Sequence, residues 1–249
     1  MLHQPQIVGC AHRWRDAPFI YWTPPDWATR GEKAREGAEN QLGWDITDFG
    51  QSRYETCGLF LFTIRDGSLA ELKARRGEPY CEKLMVVGVD QVTPMHFHWN
   101  KVEDIINRGG GKLVIQLYNA TAGDGLADSA VMVSIDGVKR VVKAADQVLL
   151  ASGESITLPP RLYHKFWGAQ ERVLEGEVSL MNDDQSDNRF YEPVGRFPEI
   201  EENEPPLHLL VTDYPRTSTR SNEPEPPRAL ELDRQSDIFQ PWNSPPDRH

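Results

Sequence analysis

The chain has 249 residues, of which 39% are apolar and 26% charged, and its net formal charge is −11. That length and apolar share suffice for one large core or two small ones. The acidic balance, with no long basic run, argues against nucleic acid or an anionic membrane surface as partner. No apolar run approaches a membrane span, the first residues lack a basic-then-apolar leader, and Cys10, Cys57 and Cys81 form no CxxC pair. The expectation is a soluble protein of the reducing cytoplasm without disulfides.

In chain order, Thr23-Pro24-Pro25-Asp26 reads as a helix start, with a threonine cap, proline in the first turn and an early acid. The helix is expected to run through Trp27 to about Asn40. Leu42–Gly50 (LGWDITDFG) reads as a turn-like loop whose Asp45 and Asp48 can cover a cavity mouth. Leu59–Arg65 is a short apolar, β-rich run ending at an Asp66-Gly67 turn, after which Ser68 can cap a cationic helix over Leu69–Arg76. From Lys83 the texture is β throughout. Strands are expected over Lys83–Val89, Val92–Trp99, Lys112–Asn119, Val131–Ile135, Val138–Val142, Gln147–Ala151, Ser155–Leu158, Tyr163–Trp167 and Arg172–Met181. Asp136-Gly137 forms a two-residue hairpin turn, and Gly109-Gly110-Gly111 breaks the chain before the Lys112 strand. Many short strands without intervening helices imply an antiparallel sandwich or barrel. His208–Tyr214 reads as one more strand. Residues 215–249 hold seven of the nineteen prolines and form a Pro-rich tail or arm without its own core. The domain reading is one catalytic unit, 1–214, made of an N-terminal helical and loop region (1–58) and a β-barrel (59–214).

One segment carries the chemistry. In Met95-His96-Phe97-His98-Trp99-Asn100-Lys101-Val102-Glu103, two histidines stand at i and i+2, so a strand places both imidazoles on one face with Phe97 on the other. Glu103 can curl back as an oxygen ligand, and His164 arrives on a later strand behind Gly153 and Pro159. Three imidazoles and a carboxylate suit a first-row divalent ion such as Mn, Fe, Co or Zn. A lone histidine is usually a core or surface residue, but four ligand residues at these spacings are much harder to assign to chance.

The pattern His-x-His-x4-Glu-x6-Gly, followed by Gly-x5-Pro-x4-His, resembles the paired motifs of the cupin superfamily. The resemblance implies a mainly β, double-stranded β-helix (an antiparallel barrel or jelly roll) with the metal held inside by three His and one Glu. The chain departs from that pattern at Asp90 and Arg161, where the motifs usually have Gly, and at Gly168, where Asn is common. None of these is a ligand.

Within that superfamily, three phrases make the chain similar to the D-lyxose isomerase family. They are TPMHFHWNKVEDIINRGGGKL, LGWDITDFG, and the text from Glu175 to Glu204 that begins EGEVSLMNDDQSDNRFYEPVGRF. The likeness runs from about Phe19 to Tyr214. It implies a metal-dependent aldose–ketose isomerase interconverting D-lyxose and D-xylulose, and also D-mannose and D-fructose, with Mn the usual metal and a free sugar as substrate. Glu177 is implied as the proton shuttle. Lys101, inside the ligand spacing, can as an ammonium stabilise charge on the substrate oxygens or protonate O1 or O2. Asp187 and Arg189, in the polar run after Glu177, can bind sugar hydroxyls. Lys83 is an awkward charge at the start of a buried strand, and either points into the pocket or marks the strand end. Among Phe49, Phe97, Trp99 and Trp167, one or two can face the pocket and the rest are core.

Two other classes use the same ligands: a metal-dependent cupin dioxygenase, with a drier pocket and room for O2, and a non-catalytic sugar-binding cupin. The Asn-, Asp- and Arg-rich stretch after Glu177 favours a polyol. Only Lys101 and Arg189 stand out as phosphate-binding cations, which favours a free sugar over a sugar phosphate. A two-fold homodimer is the expected assembly.

Overall fold

The computed structural model describes residues 18–68, 75, 77–183, 186–195 and 204–214. The cationic helix expected over Leu69–Arg76 and the tail 215–249 lie outside the described residues. Twelve strands form one antiparallel sheet: β1 (Gly43–Thr47), β2 (Leu59–Arg65), β3 (Tyr80–Val87), β4 (Thr93–His98), β5 (Glu103–Ala120), β6 (Leu126–Ala127), β7 (Val131–Ile135), β8 (Val138–Val142), β9 (Gln147–Leu150), β10 (Ser155–Leu158), β11 (Leu162–Leu180) and β12 (Asn188–Phe190). This is the mainly β, cupin-type architecture that the motifs imply.

Two long strands decide its shape. β5 and β11 pair with each other along nearly their whole lengths, but each half has different outer neighbours. Glu103–Ile106 of β5 pairs with β10, and Val173–Leu180 of β11 pairs with β3, giving a leaf ordered β1-β2-β3-β11-β5-β10-β7-β8. Leu113–Gln116 of β5 pairs with β9, and the start of β11 pairs with β4, which pairs in turn with β12. The two leaves are thus halves of the same strands. Between them lies one apolar core, including Leu61, Met85, Ile105, Leu113, Ile115, Leu150, Phe166 and Val173.

The glycine triplet does not end a strand, as the sequence suggests; β5 runs straight through it. The triplet lies where the β5–β11 register slips between Ala169 and Val173, and a β-carbon on Gly110 or Gly111 would collide with the carbonyls of Arg172 or of Ala169 and Glu171. Glycine here permits a bend with backbone against backbone. Fully buried Asn107 staples it: its Nδ2 donates to Gly111 O and Leu150 O at 2.9 Å each, and its Oδ1 accepts from Gly109 N–H at 3.0 Å. The strands expected over Tyr163–Trp167 and Arg172–Met181 are likewise one element, β11, whose pairing with β5 slips at this bulge and again between Leu174 and Glu175.

Other differences have local causes. The N-terminal helix is two short pieces, α1 (Pro24–Arg30) and α2 (Arg35–Glu39), because Gly31 takes φ 51° and a 3-10 turn intervenes. LGWDITDFG holds strand β1 ahead of its turn. His208–Tyr214 makes a single bridge, Leu210 to Trp44, and a 3-10 turn rather than a strand. Its Tyr214 stacks on Trp27 at 3.9 Å and donates to Leu42 O, pinning this segment to the helical region. Asp136-Gly137 is the expected hairpin turn, with φ of 49° and 79°.

Asp90 and Arg161, which stand where the motifs usually have glycine, both have left-handed backbones (φ 56° and 60°). Aspartate tolerates that region well. Arg161 is held by Asp124 at 2.9 Å and lies over the rings of Phe97 and Trp99 at 5.2 and 5.1 Å. These contacts offset a backbone cost of about 1–3 kcal/mol.

Gly110→Ala introduces both a carbonyl clash and a β-carbon at φ 94°. It is expected to lower stability by roughly 2–4 kcal/mol, read as a shifted midpoint in chemical denaturation. A change below about 0.5 kcal/mol would mean that the bend does not need glycine.

Candidate metal centre and active site

The β4 alternation puts His96 and His98 inside the barrel and Phe97 outside, as its period of two requires. The outer face is not solvent: Phe97 is buried against Trp99 and Tyr163. His164 on β11 is the direct cross-strand partner of His96, and their rings lie 4.2 Å apart. Nitrogens of His96, His98 and His164 all fall within 4.8 Å of one another.

The hydrogen bonds orient these rings. Nδ1 of His96 lies 2.8 Å from Pro94 O, and Nδ1 of His164 lies 3.0 Å from Leu162 O. A carbonyl can only accept, so both Nδ1 atoms carry a proton, which leaves both Nε2 atoms as the ligating positions. Burial, with help from His164 and His98, holds His96 well below the usual imidazole range. Burial and then the Lys101 ammonium lower His98. Neutral rings are what a cation requires.

Glu103, the first residue of β5, meets this set: its carboxylate lies 3.0 Å from His164 Nε2 and 3.4 Å from His98 Nε2. Glu103 Oε1 and His98 Nδ1 are buried without a hydrogen-bond partner among the described residues. A divalent ion among these groups would engage that idle carboxylate oxygen, so the residues fit such an ion.

On the other leaf stands a set of buried charges. Lys101 Nζ lies 3.0 Å from Glu103 Oε2 and 2.9 Å from Glu177 Oε1. Glu177 Oε1 also accepts from Ser179 Oγ at 2.9 Å and lies 3.6 Å from Lys83 Nζ, its neighbour across the β3–β11 pair. Burial alone would push the Glu103 and Glu177 carboxyls up. Burial is the largest single influence at each, but the Lys101 ammonium together with His98 and His164 at Glu103, and together with Lys83 at Glu177, outweighs it, so both lie below the ordinary carboxylate value. Burial would lower Lys101, but Glu103 and Glu177 keep it ammonium, above the ordinary lysine value.

These groups line one cavity of about 600 Å³, counted with its open mouth. Leu59, Leu61, Met85, Ile105 and Phe166 supply its apolar side, and Thr47, Asn182 and Asn188 add polar groups. Lys83 lies inside because β3 alternates, with Cys81, Lys83, Met85 and Val87 all buried. A charge within that apolar stripe was the available sequence signal. Asn182, Asn188 and Phe190 carried no signal beyond a polar, turn-rich stretch.

The polar residues after Glu177 divide by strand parity. Asn188 and Phe190 of β12 line the cavity, whereas Arg189 between them is exposed, pairs in register with Phe97 and donates to Phe190 O. Asp187 is buried but clamps a turn rather than lining the cavity. Its carboxylate accepts from Asn100 N–H (2.8 Å), Asn100 Nδ2 (2.9 Å) and Lys101 N–H (3.0 Å). The clamp turns the chain between β4 and β5 so that Lys101 enters the barrel. Of the four aromatics singled out, Phe49 lines the cavity. Asp45 sits on β1, and Asp48 caps the turn that carries Phe49, accepting from Gly50 and Ser52 N–H at 2.8 Å each.

Comparison with known proteins gives the family. A family model described as D-lyxose isomerase matches residues 4–214. The chain is 48% identical over 202 residues (80% of this chain, 88% of the relative) to a D-lyxose/D-mannose isomerase of Serratia proteamaculans. It is 46% identical over 204 residues (79% and 87%) to a protein of that name from Escherichia coli O157:H7. Among solved structures, an L-ribose isomerase of Cellulomonas parahominis matches at 15% identity and a TM-score of 0.46, covering 78% of this chain and 92% of that one. No described helix is long and apolar enough to cross a membrane.

Directly along β11 from Glu177, Glu175 is fully buried and neither carboxylate oxygen has a hydrogen-bond partner among the described residues. Burial, then the charges of Glu177 and Glu103, push its carboxyl well above the ordinary value. Its folded form therefore holds a proton that the unfolded chain releases near pH 4.5, so this group costs stability as pH rises above that value, by up to about 1.4 kcal/mol per pH unit until the folded carboxyl titrates. Glu175→Gln is expected to be more stable than the parent at pH 8 and to lose that advantage near pH 4. Denaturation midpoints across pH test this; a gap independent of pH would show that Glu175 is not held protonated.

Proposed function

This chain belongs to the D-lyxose isomerase family and is an aldose–ketose isomerase; from that premise we propose that it interconverts D-lyxose and D-xylulose, and D-mannose and D-fructose, with a divalent metal. The proposed ligands are His96, His98, Glu103 and His164, and Mn is the expected ion. The ion would supply Lewis-acid stabilisation of negative charge on vicinal substrate oxygens. The observation that carries the reading is the position of Glu177, a carboxylate ionised between two ammonium groups in the wall of the cavity that holds the three imidazoles.

Isomerisation moves one proton between C2 and C1 and one hydroxyl proton between O2 and O1. Glu177 takes the proton from C2 and returns it to C1 on the same face of a cis-enediol. Its described contacts fall on Oε1, which leaves Oε2 for that task. Lys101, an ammonium in the resting site, stabilises negative charge on O1 and O2 and passes the hydroxyl proton between them, giving one proton and recovering one. Asn182 and Asn188 take the role of binding hydroxyls that the sequence suggested for Arg189, and Asp187 acts through the turn that positions Lys101. The two lysines and two asparagines in the wall favour a polyol over O2, and hence isomerase over dioxygenase.

Residues 1–214 form the catalytic unit in this reading. A cytoplasmic homodimer completes it, supported by the free thiols of Cys57 and Cys81 and by the prevalence of two-fold assemblies.

After treatment with chelator and reloading with Mn, D-lyxose is expected to yield D-xylulose, and His98→Ala is expected to lose both bound metal and activity. Oxygen uptake without sugar turnover would favour the dioxygenase instead. Glu177→Gln is expected to keep its metal and lose at least about 100-fold in kcat, together with solvent exchange of the C2 proton. Normal exchange in that variant would assign the shuttle elsewhere.

A further inference from the structure

The Phe49 turn is the least economical local conformation at the cavity. Phe49 has φ 55° and is the only aromatic residue among the described non-glycine positions with a left-handed backbone. For a bulky side chain that region costs free energy, and such strain persists only where surrounding structure enforces it. The enforcement is visible. Phe49 N–H donates to Thr47 Oγ1 at 2.9 Å in a buried bond. The Asp48 carboxylate takes the next free N–H groups, those of Gly50 and Ser52. Gly50 packs so closely on Gly195 that a β-carbon would lie 3.2 Å from its Cα. The result is a phenyl ring only 5% exposed, set into the cavity wall.

Phe49 does not stand alone. Its ring meets Phe190 edge-on at 5.8 Å and 61°, and Phe190 stacks on His96 at 5.3 Å and 28°. The pair forms an aromatic wall that begins at a metal-site imidazole and ends at the β1–β2 turn. The groups assigned to the reacting atoms, Lys101 and Glu177, come from the turn before β5 and from β11, and Lys83 beside Glu177 comes from β3. The wall comes from different elements, so it can vary without displacing them. It carries no donor or acceptor for a hydroxyl, and a rigid ring limits length where a flexible chain would yield.

We propose that Phe49 and Phe190 form a specificity wall that sets how long a sugar chain the cavity accepts, discriminating a pentose from the hexose that extends it by one carbon. This rests on the isomerase reading. D-lyxose and D-mannose share their configuration from C2 to C4, so the reacting groups see the same atoms and the difference falls at the far end. One extra group against a shaped wall changes kcat/KM by about 10–200-fold.

The test uses the metal-loaded enzyme and compares kcat/KM for D-lyxose and D-mannose in the parent, Phe49→Ala, Phe49→Leu and Phe190→Leu. Phe49→Ala is expected to shift the ratio toward D-mannose by at least fivefold, with Phe49→Leu between it and the parent. Binding of the pentitol and hexitol made by reducing the two sugars, measured by calorimetry, is expected to shift in the same direction without turnover. Phe49→Leu and Phe190→Leu carry the comparison if Phe49→Ala does not fold. A ratio within twofold of the parent in every folded variant, with both sugars weakened alike, would overturn the proposal and leave the wall a packing feature. A parent enzyme that turns over neither sugar would overturn the isomerase reading itself, and this inference with it.

Discussion

The structure depends on a neutralised cluster of buried charge. Lys83, Lys101, Glu103 and Glu177 are each 6% exposed or less. An isolated ion at such burial would change protonation rather than stay charged. Here each carboxylate has an ammonium beside it, and Lys101 touches both. The pairing keeps Glu177 ionised in a place where burial alone would protonate it. Glu175, two residues away on the same strand face, lacks such a partner and illustrates the alternative. The same residue type takes opposite protonation states according to whether a lysine lies within reach.

Keeping that cluster together is a demand on the backbone. The imidazoles come from β4 and the first half of β11, whereas Glu103 and Glu177 come from the start of β5 and the second half of β11. Only strands that bend from one leaf to the other can supply both. The glycine triplet and the Asn107 staple make that bend in β5, and the opposing bulge makes it in β11. The features that look like strand ends in the sequence are therefore what bring the two halves of the site together. Asp187 plays a comparable part at smaller scale, since holding the turn before Lys101 decides which way the lysine points.

Much of the centre was legible in the residues themselves. The spacing of His96, His98 and Glu103 encodes their faces, because strand alternation is a local rule that the later strand bearing His164 also obeys. The place of Lys101 inside that spacing brought it in as well, and the family likeness added Glu177. The reading was weaker wherever parity depended on an unseen strand. In the run after Glu177, Asp187 and Arg189 are two of the charged residues, and charge drew attention to them. The short strand β12 instead turns Asn188 and Phe190 inward and leaves Arg189 outside. Lys83 was ambiguous for a related reason, since a lysine within an apolar stripe reads equally well as a strand end until its partner Glu177 is seen across the sheet.

What the sequence by itself determined is what depends on local periodicity and side-chain chemistry: an antiparallel β fold, three histidines and a glutamate at spacings that suit a metal, and a glycine-rich break. Tertiary structure decided whether that break ended a strand or bent one, which residues after Glu177 face the cavity, and which carboxylates are charged. These are questions of distance between segments far apart in the chain. Glu175 and Glu177 differ by two positions and are chemically identical, and only the lysines brought across from β3 and from the turn before β5 keep Glu177 ionised where burial leaves Glu175 protonated.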